Sequence, residues 1–172
     1  MLNIIKNKNK GILFWITGLS GSGKTTIAKK IRPFISKKYG PTIIINGDDM
    51  RNIFKLRKFD KASRLENGKK YIQLCKLITN QKINVIFPVV GLFYELHNWN
   101  RKNINNYCEI YIKSSIKDII KQKKKKIYDK HKINIVGLDI KPEFPKKADI
   151  TVKNNFEKNI KNISIENIKK LK

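Results

Sequence analysis

Short apolar runs alternate along this chain with longer segments in which apolar residues recur every three or four positions. Runs of about four to eight apolar or β-branched residues are typical of buried strands. We predict strands at Ile12–Thr17, Thr42–Asn46, Ile83–Val90, Cys108–Ile112 and Ala148–Val152. Pro88 weakens the end of the third strand, because proline has no amide hydrogen to donate to a sheet.

Helical spacing marks the segments between these strands. A helix is predicted from about Lys24 to Lys38, where Gly40 and the proline after it stop the pattern. A second helix is predicted over Lys61–Asn80, and a third opens at Ser115 with a variant of the capping box. Strands that alternate with helices predict an α/β fold, with a parallel sheet flanked by helices on both faces.

The length of 172 residues predicts a single domain over residues 1–172 with a buried core. Residues 1–10 are basic and are interpreted as an N-terminal extension, because they lack the apolar region of a signal peptide. The irregular segment at about 123–145 is predicted to be a mobile lid, since long loops inside compact domains are often functional.

The chain also lacks the sequence signals of a membrane or metal protein. Its longest apolar run, Val85–Tyr94, contains a proline and a glycine and is too short to span a bilayer. Cys75 and Cys108 match no metal-ligand spacing, so we expect reduced, buried thiols. A cytoplasmic protein without a membrane contact is predicted.

A formal net charge of +26 invites a nucleic-acid interpretation. The composition argues against it, because 34 Lys, 30 Ile and 19 Asn make up nearly half of the chain, beside only 5 Arg. Such a bias in three residue types is typical of coding composition, and the lysines are spread along the chain. A nucleic-acid partner is therefore less favoured than a solvated surface whose field attracts small acidic substrates.

Gly18 to Thr25 match the phosphate-loop pattern G-x-x-x-x-G-K-[ST], between a predicted strand and a predicted helix. In this context the backbone amides and the helix N-terminus bind the phosphates of a nucleoside triphosphate. We expect Lys24 to contact the β- and γ-phosphates of ATP, and the Thr25 hydroxyl to ligate Mg²⁺. The predicted ATP-binding residues are Gly18, Leu19, Ser20, Gly21, Ser22, Gly23, Lys24, Thr25 and Thr26.

The second predicted strand ends in a pair of carboxylates. Asp48 follows Gly47 at this end of the sheet, beside the phosphate loop. A carboxylate there can accept a proton from an attacking hydroxyl, or hold the water shell of the metal. Asp49 is interpreted as the start of the next helix, where negative charge is favoured. The alternative is that both residues only cap this helix.

Four segments in this order resemble the adenylylsulfate kinase family, over roughly residues 12–152. "WITGLSGSGKTTIA" is similar to the family's phosphate loop, and "INGDDMR" to its D-G-D-N-x-R. "FDKASRLENGKK" resembles F-S-x-x-D-R-x-x-N-x-R-R, and "NIVGLDIKPEFP" resembles F-T-G-I-D-x-P-Y-E-x-P. The last segment matches at Gly137, Asp139, Glu143 and Pro145. The resemblance implies a P-loop kinase fold, often dimeric.

The family's activity is transfer of the ATP γ-phosphoryl group to the ribose 3′-hydroxyl of adenylyl sulfate, using Mg²⁺. On this resemblance Asp48 is the catalytic base or a metal-shell ligand, Lys24 is catalytic, and Phe59 stacks on the base of the acceptor. The other acceptor-binding residues that it implies are Arg51, Arg64, Asn67 and Lys125. Two alternatives stay open: Phe59 as a core residue, and Arg64 as a surface residue that pairs with a carboxylate.

The chain departs from the family on the acceptor side. Val90 stands where the family has a serine that is sometimes assigned as a phosphorylated intermediate, so we predict direct in-line transfer. Phe93 and Leu96 stand at positions of family arginines. His97 and Trp99 lie in the same divergent stretch, as substrate contacts or as structural residues. The donor side of the pattern is intact, and the acceptor side is changed.

Three functions follow from these observations. The leading hypothesis is a kinase that acts on adenylyl sulfate. The second keeps the reaction on another nucleotide-linked acceptor, such as a cytidine diphosphate derivative of the cytidine diphosphoramidate type, in surface-polysaccharide modification. The third is a P-loop binding or nucleic-acid-associated module with incidental turnover. The matched segment with Phe59, Arg64 and Asn67 argues against the third.

Overall fold

The computed structural model describes residues 4–122 and 133–156 of the chain. Five parallel strands form one sheet in the order β2-β3-β1-β4-β5. The strands are β1 Leu13–Thr17, β2 Thr42–Ile44, β3 Asn84–Pro88, β4 Tyr107–Lys113 and β5 Ile150–Lys153. The helices are α1 Lys24–Tyr39, α2 Gly47–Ile53, α3 Lys61–Asn80, α4 Tyr94–Asn103 and α5 Ile116–Lys121.

Helices cover both faces of the sheet, as the sequence predicts. Alternate side chains of β1 point to opposite faces, because successive residues of a strand do so. Phe14 and Ile16 pack in one apolar cluster with the buried face of α1. Leu13 and Trp15 pack in a second cluster with buried residues of α3 and α4. The all-parallel sheet therefore has a core on each side.

Four of the predicted strands end earlier than expected or start later. β1 begins at Leu13 rather than at Ile12. β2 stops at Ile44, because the next residues turn toward α2. β3 ends at Pro88, as the proline indicated. β5 begins at Ile150 rather than at Ala148. The predicted α3 agrees with the structure at both ends.

Helix α4 is absent from the sequence-based prediction. Its buried positions are Leu96, His97 and Asn100, so two of the three are polar. An apolar stripe at helical spacing is the main sequence signal for a helix. That signal is missing here because His97 and Asn100 occupy the buried face.

The N-terminal residues that the structure describes are attached to the domain. The backbone amides of Lys6 and Asn7 both donate to Oδ1 of Asn106, at 2.8 and 2.9 Å. Ile4 is buried in the cluster that contains β1 and α1. Among residues 4–122 and 133–156, the helices are all too short or too polar to cross a bilayer.

Candidate active site

The phosphate loop joins the end of β1 to the start of α1. Gly23 precedes the helix with a φ of 94°, a left-handed conformation that favours glycine. Gly18 lies against β4, where a Cβ atom would be 2.6 Å from the carbonyl oxygen of Ile112. Nδ2 of Asn154, which follows the edge strand β5, donates to the carbonyl oxygen of Ser22 at 3.0 Å and holds the loop in place. The loop is thus fixed by backbone contacts.

Lys24 folds back over this loop. Its Nζ donates to the carbonyl oxygens of Gly18 at 3.0 Å and Leu19 at 2.6 Å. Thr25 and Thr26 follow it in the first turn of α1, which holds no acidic side chain. The positive end of the helix dipole, an ammonium group and hydroxyl groups therefore converge at one place, and this combination binds phosphate.

One cavity of about 700 Å³ lies at the carboxyl edge of the sheet. Its volume is within the usual range for small-molecule sites. Its phosphate-loop side consists of Ser20, Gly21, Gly23, Lys24, Thr25 and Thr26. Its Phe59 side consists of Asp48, Arg51, Phe59, Arg64, Gly68, Tyr71, Val89, Val90, Phe93 and Leu96. Gly18, Leu19 and Ser22 do not line the cavity, so their expected part in ATP binding stays a prediction about the loop backbone.

The two neighbouring aspartates of α2 have different surroundings. Asp49 accepts a hydrogen bond from Nδ2 of Asn46 at 2.7 Å, at the start of the helix. Asp48 lies in the same turn and lines the cavity. This arrangement agrees with the choice of Asp48 as the functional carboxylate and of Asp49 as a helix-start residue. The catalytic role of Asp48 stays a prediction.

Two arginines flank the ring of Phe59. The Cζ atom of Arg51 lies 4.5 Å from the ring centroid, and that of Arg64 lies 5.5 Å from it. Phe59 is 46% exposed and lines the cavity, so it is not a core residue. A partly exposed aromatic face held by guanidinium groups is suited to stack on a nucleotide base, and the cations are suited to bind its phosphates.

Arg64 is fixed by backbone acceptors rather than by a carboxylate. Its Nε donates to the carbonyl oxygen of Phe59 at 2.6 Å, and its Nη2 donates to that of Asn134 at 2.9 Å. Burial, with a smaller contribution from nearby Arg51, lowers the pKa of Arg64 to about 10. Arg64 therefore remains a cation at neutral pH, and the negative charge of an anionic ligand would offset both unfavourable effects.

Two further predicted acceptor residues are Asn67 and Lys125, and Asn67 does not line the described cavity. Asn67 is buried in α3 beside Gly68, and only the glycine lines the cavity. Lys125 lies outside the described residues. The predicted lid over 123–145 is described only from residue 133 onward, so it stays a prediction.

The two positions that carry arginines in the adenylylsulfate kinase family carry apolar residues here, and their side chains form an apolar wall of the cavity. Phe93 and Leu96 are buried, at 2% and 1% exposed, and both line the cavity. Val90 lines it too, and its carbonyl oxygen accepts a hydrogen bond from Oγ1 of Thr17 at 2.6 Å. On the Phe59 side of the cavity, the cationic side chains therefore come from α2 and α3. The two positions at the start of α4 carry no charge.

His97 and Trp99 are structural residues. Nε2 of His97 lies 2.7 Å from the carbonyl oxygen of Gly91, and burial lowers the pKa of this imidazole, opposed by Glu109. Trp99 packs beneath Nζ of Lys76 on the neighbouring helix. Neither residue lines the cavity. Both therefore support α4, rather than contacting a ligand.

The last matched segment supplies another part of the cavity wall. Residues 133–136 line it, next to the Phe59 side. Oδ2 of Asp139 accepts a hydrogen bond from the amide of Ile135 at 2.9 Å and fixes this turn. Oε2 of Glu143 accepts from the amide of Tyr94 at 2.6 Å, at the start of α4. These carboxylates position the wall and do not face the site.

Tyr71 is a cavity residue that the sequence analysis missed. Arg64, Gly68 and Tyr71 all line the cavity, and they are spaced four and three residues apart on α3. Residues with this spacing share one face of a helix. Once Arg64 is assigned to the site, this spacing on α3 therefore predicts that Tyr71 lines the site as well.

A parallel sheet with a phosphate loop after its first strand, and a second side of the cavity that carries stacking and cationic groups, defines a P-loop kinase, an ATP-dependent phosphotransferase. The model of the adenylylsulphate kinase family matches residues 10–153. The chain belongs to this family.

Two curated relatives carry different names. The cytidine diphosphoramidate kinase of Campylobacter jejuni is 33% identical over 157 residues, 89% of this chain and 92% of that protein. The adenylyl-sulfate kinase of Clostridium acetobutylicum is 33% identical over 174 residues, 96% of this chain and 86% of that protein. The fold is also that of the Mycobacterium tuberculosis APS kinase solved with AMPPNP and APS, with a TM-score of 0.84 at 23% identity and coverage of 94% and 98%.

Proposed function

We propose that this kinase transfers the γ-phosphoryl group of ATP to the ribose 3′-hydroxyl of a cytidine-diphosphate-linked amidate. The observation that carries this choice is the apolar wall of Phe93 and Leu96 at the positions of two family arginines. The similarity to the Campylobacter cytidine diphosphoramidate kinase supports it.

The chemistry of the terminal group explains why the wall matters. A sulfate presents three oxygen acceptors, and each buried acceptor needs a donor. An amidate replaces one of these oxygens by an amino group, so it needs fewer hydrogen-bond donors around it, while the charge of the terminal group is the same. The guanidinium groups of Arg51 and Arg64, which lie on the Phe59 ring, then suffice to bind the phosphate oxygens of the acceptor.

Adenylyl sulfate is the second candidate. It is favoured by the similarity to the Clostridium adenylyl-sulfate kinase, which covers 96% of this chain. Arg51, Phe59 and Arg64, which match the family motifs, are grouped on the cavity for either acceptor.

On either acceptor the residues of the site have the same tasks. The phosphate loop and Lys24 hold the triphosphate, while Phe59 and its two arginines orient the acceptor. Asp48, which lines the cavity, accepts the proton of the 3′-hydroxyl as that oxygen attacks the γ-phosphorus and ADP leaves.

The oxygen donors at the cavity fit Mg²⁺. Thr25 and Asp48 both line it, and we propose the Thr25 hydroxyl as a ligand and the Asp48 carboxylate as one that acts directly or through water. Within the described ranges no group of three or more His, Cys, Asp or Glu side chains is placed to hold a metal. This agrees with a cation that takes most ligands from phosphates and water. When bound, Mg²⁺ neutralises charge on the phosphates. A homodimer, which the family resemblance implies, also belongs to this proposal.

An acceptor panel tests the proposal. Purified protein with Mg·ATP is given cytidine diphosphoramidate, adenylyl sulfate or CDP, and ADP release is followed, with a Lys24→Ala sample as the blank. We expect kcat/KM for the amidate to exceed that for adenylyl sulfate by at least about tenfold, the value of one charged hydrogen bond. The reverse order would assign adenylyl sulfate. If none of the acceptors accelerates ADP release, the chain is not the proposed transferase.

Val90 leads to a separate prediction about the reaction path. A valine has no oxygen to phosphorylate, so transfer is direct and no phosphoenzyme forms on residues 83–97. After incubation with γ-labelled ATP and no acceptor, peptide mapping should find no label on this segment. Val90→Ser restores the hydroxyl and serves as the matched variant. Labelled peptide from the unsubstituted chain would contradict direct transfer.

A further inference from the structure

Helix α3 places Tyr71 in the wall of the cavity, on its Phe59 side. Gly68, one turn earlier, leaves space that Leu96 fills, since a Cβ atom at Gly68 would lie 2.5 Å from Cδ1 of Leu96. The Tyr71 ring packs against Phe87 of β3, with 5.6 Å between the ring centroids. Packing against the core therefore holds the Tyr71 ring in place.

The hydroxyl group of Tyr71 lacks a hydrogen-bond partner among residues 4–122 and 133–156, although the residue is only 3% exposed. A buried hydroxyl without a partner is costly, and most buried polar groups in folded proteins are paired. Tyr71 also lines the cavity. A missing partner at a cavity wall points to a ligand that supplies it.

Arg51 provides a second unpaired donor at the same place. Its Nη1 is buried and, within the described part of the chain, has no hydrogen-bond partner. The charges of Arg51 and Asp48 both act on the Tyr71 hydroxyl. Burial raises the pKa of Tyr71, so the phenol stays protonated at neutral pH and can donate. Two unpaired donors on residues that line one cavity are suited to a shared anionic acceptor.

We propose that Tyr71 is an acceptor-binding residue whose hydroxyl donates a hydrogen bond to a phosphate oxygen of the acceptor nucleotide, beside Arg51. This inference rests on the proposed function only in that the Phe59 side holds the acceptor. Tyr71 adds a neutral donor on a wall where Phe93 and Leu96 carry no charge.

Tyr71→Phe removes the hydroxyl and keeps the ring on Phe87. With the donor site saturated by Mg·AMPPNP, calorimetry measures binding of CDP, adenylyl sulfate and cytidine, which lacks phosphates. We expect the Kd of the phosphate-bearing ligand that binds the unsubstituted protein more tightly to rise by about tenfold or more. The Kd of cytidine and that of AMPPNP should change less than about twofold. In turnover, the KM of the acceptor should rise while kcat stays within about threefold.

Tyr111→Phe is the matched control. Tyr111 is also buried and packs on Phe144, but it does not line the cavity, so its substitution should leave all these values unchanged. Equal affinities of Tyr71→Phe and the unsubstituted protein overturn the inference. An equal loss for cytidine and for the nucleotides also overturns it, because the ring rather than a phosphate contact would then be responsible. If no acceptor nucleotide binds the unsubstituted protein, the assignment of this site is wrong. The proposed function fails separately, when nucleotides bind but none of them accelerates ADP release.

Discussion

Lys24→Ala is expected to abolish phosphoryl transfer to every acceptor, with a fall in kcat/KM on the order of 10³-fold or more. Nζ of Lys24 is held at the phosphate loop by the carbonyl oxygens of Gly18 and Leu19, so its positive charge lies where the loop would bind a triphosphate. Alanine leaves the backbone amides in place and removes the charge that offsets the negative charge of the transferred group. ADP release with saturating acceptor measures the loss.

The control for this substitution is Lys30→Ala. Lys30 lies on the same helix and is exposed, so its removal changes the net charge equally without touching the loop. We expect less than about a twofold effect, since exposed charges contribute little. Thermal unfolding of both variants separates lost catalysis from lost folding. A Lys24→Ala protein that is folded and keeps more than a tenth of its activity would contradict the role given to the phosphate loop.

Local chemistry explains which parts of the fold are readable from the sequence. Helix α3 starts and ends as predicted, and Oδ1 of Asp60 accepts from the amide of Ser63 at its first turn. Ser115 caps α5 in the same way, by accepting from the amide of Asp118. These are contacts between residues three apart, so the sequence contains all the information about them. The phosphate loop is readable for the same reason.

The Phe59 side of the cavity depends on contacts that are distant in sequence. Arg64 reaches Asn134 across 70 positions, and no spacing in the chain encodes that pair. The resemblance to a family predicts Phe59, Arg51 and Arg64 as acceptor-binding residues, and only the structure shows that both arginines lie on the Phe59 ring. Tyr71 could have been found only after Arg64 was known to face the cavity.

Polar residues that are buried account for the largest error. Helix α4 was missed because His97 and Asn100 occupy positions where an amphipathic helix has apolar residues. They are buried because β4 offers polar partners: Nδ2 of Asn100 donates to the hydroxyl of Tyr107 at 3.4 Å, and Glu109 lies 3.6 Å from His97. Such pairings exist only in the folded sheet, so a pattern of apolar positions cannot predict them.

Asp48→Asn is expected to lower kcat by about 10²- to 10⁴-fold while ATP still binds, because the amide cannot accept the proton of the attacking hydroxyl. The substitution keeps the shape of the side chain on the cavity wall. Asp49→Asn is the matched control: this carboxylate bonds Asn46 and does not line the cavity, so kcat should change less than about threefold. Single-turnover rates and titration with AMPPNP measure the two effects separately.

The two roles open to Asp48 predict different responses of this variant. If the carboxylate accepts the proton, raising Mg²⁺ leaves the rate of Asp48→Asn low, because the missing group is a base. If it orders the metal's water shell, the variant needs more Mg²⁺ and regains much of its rate when the cation is in excess. Since Thr25 and Asp48 line the same cavity, the magnesium titration decides between two functions that the position of the carboxylate allows equally. A variant with nearly full rate at all Mg²⁺ concentrations would remove Asp48 from the mechanism and leave the acceptor hydroxyl without its base.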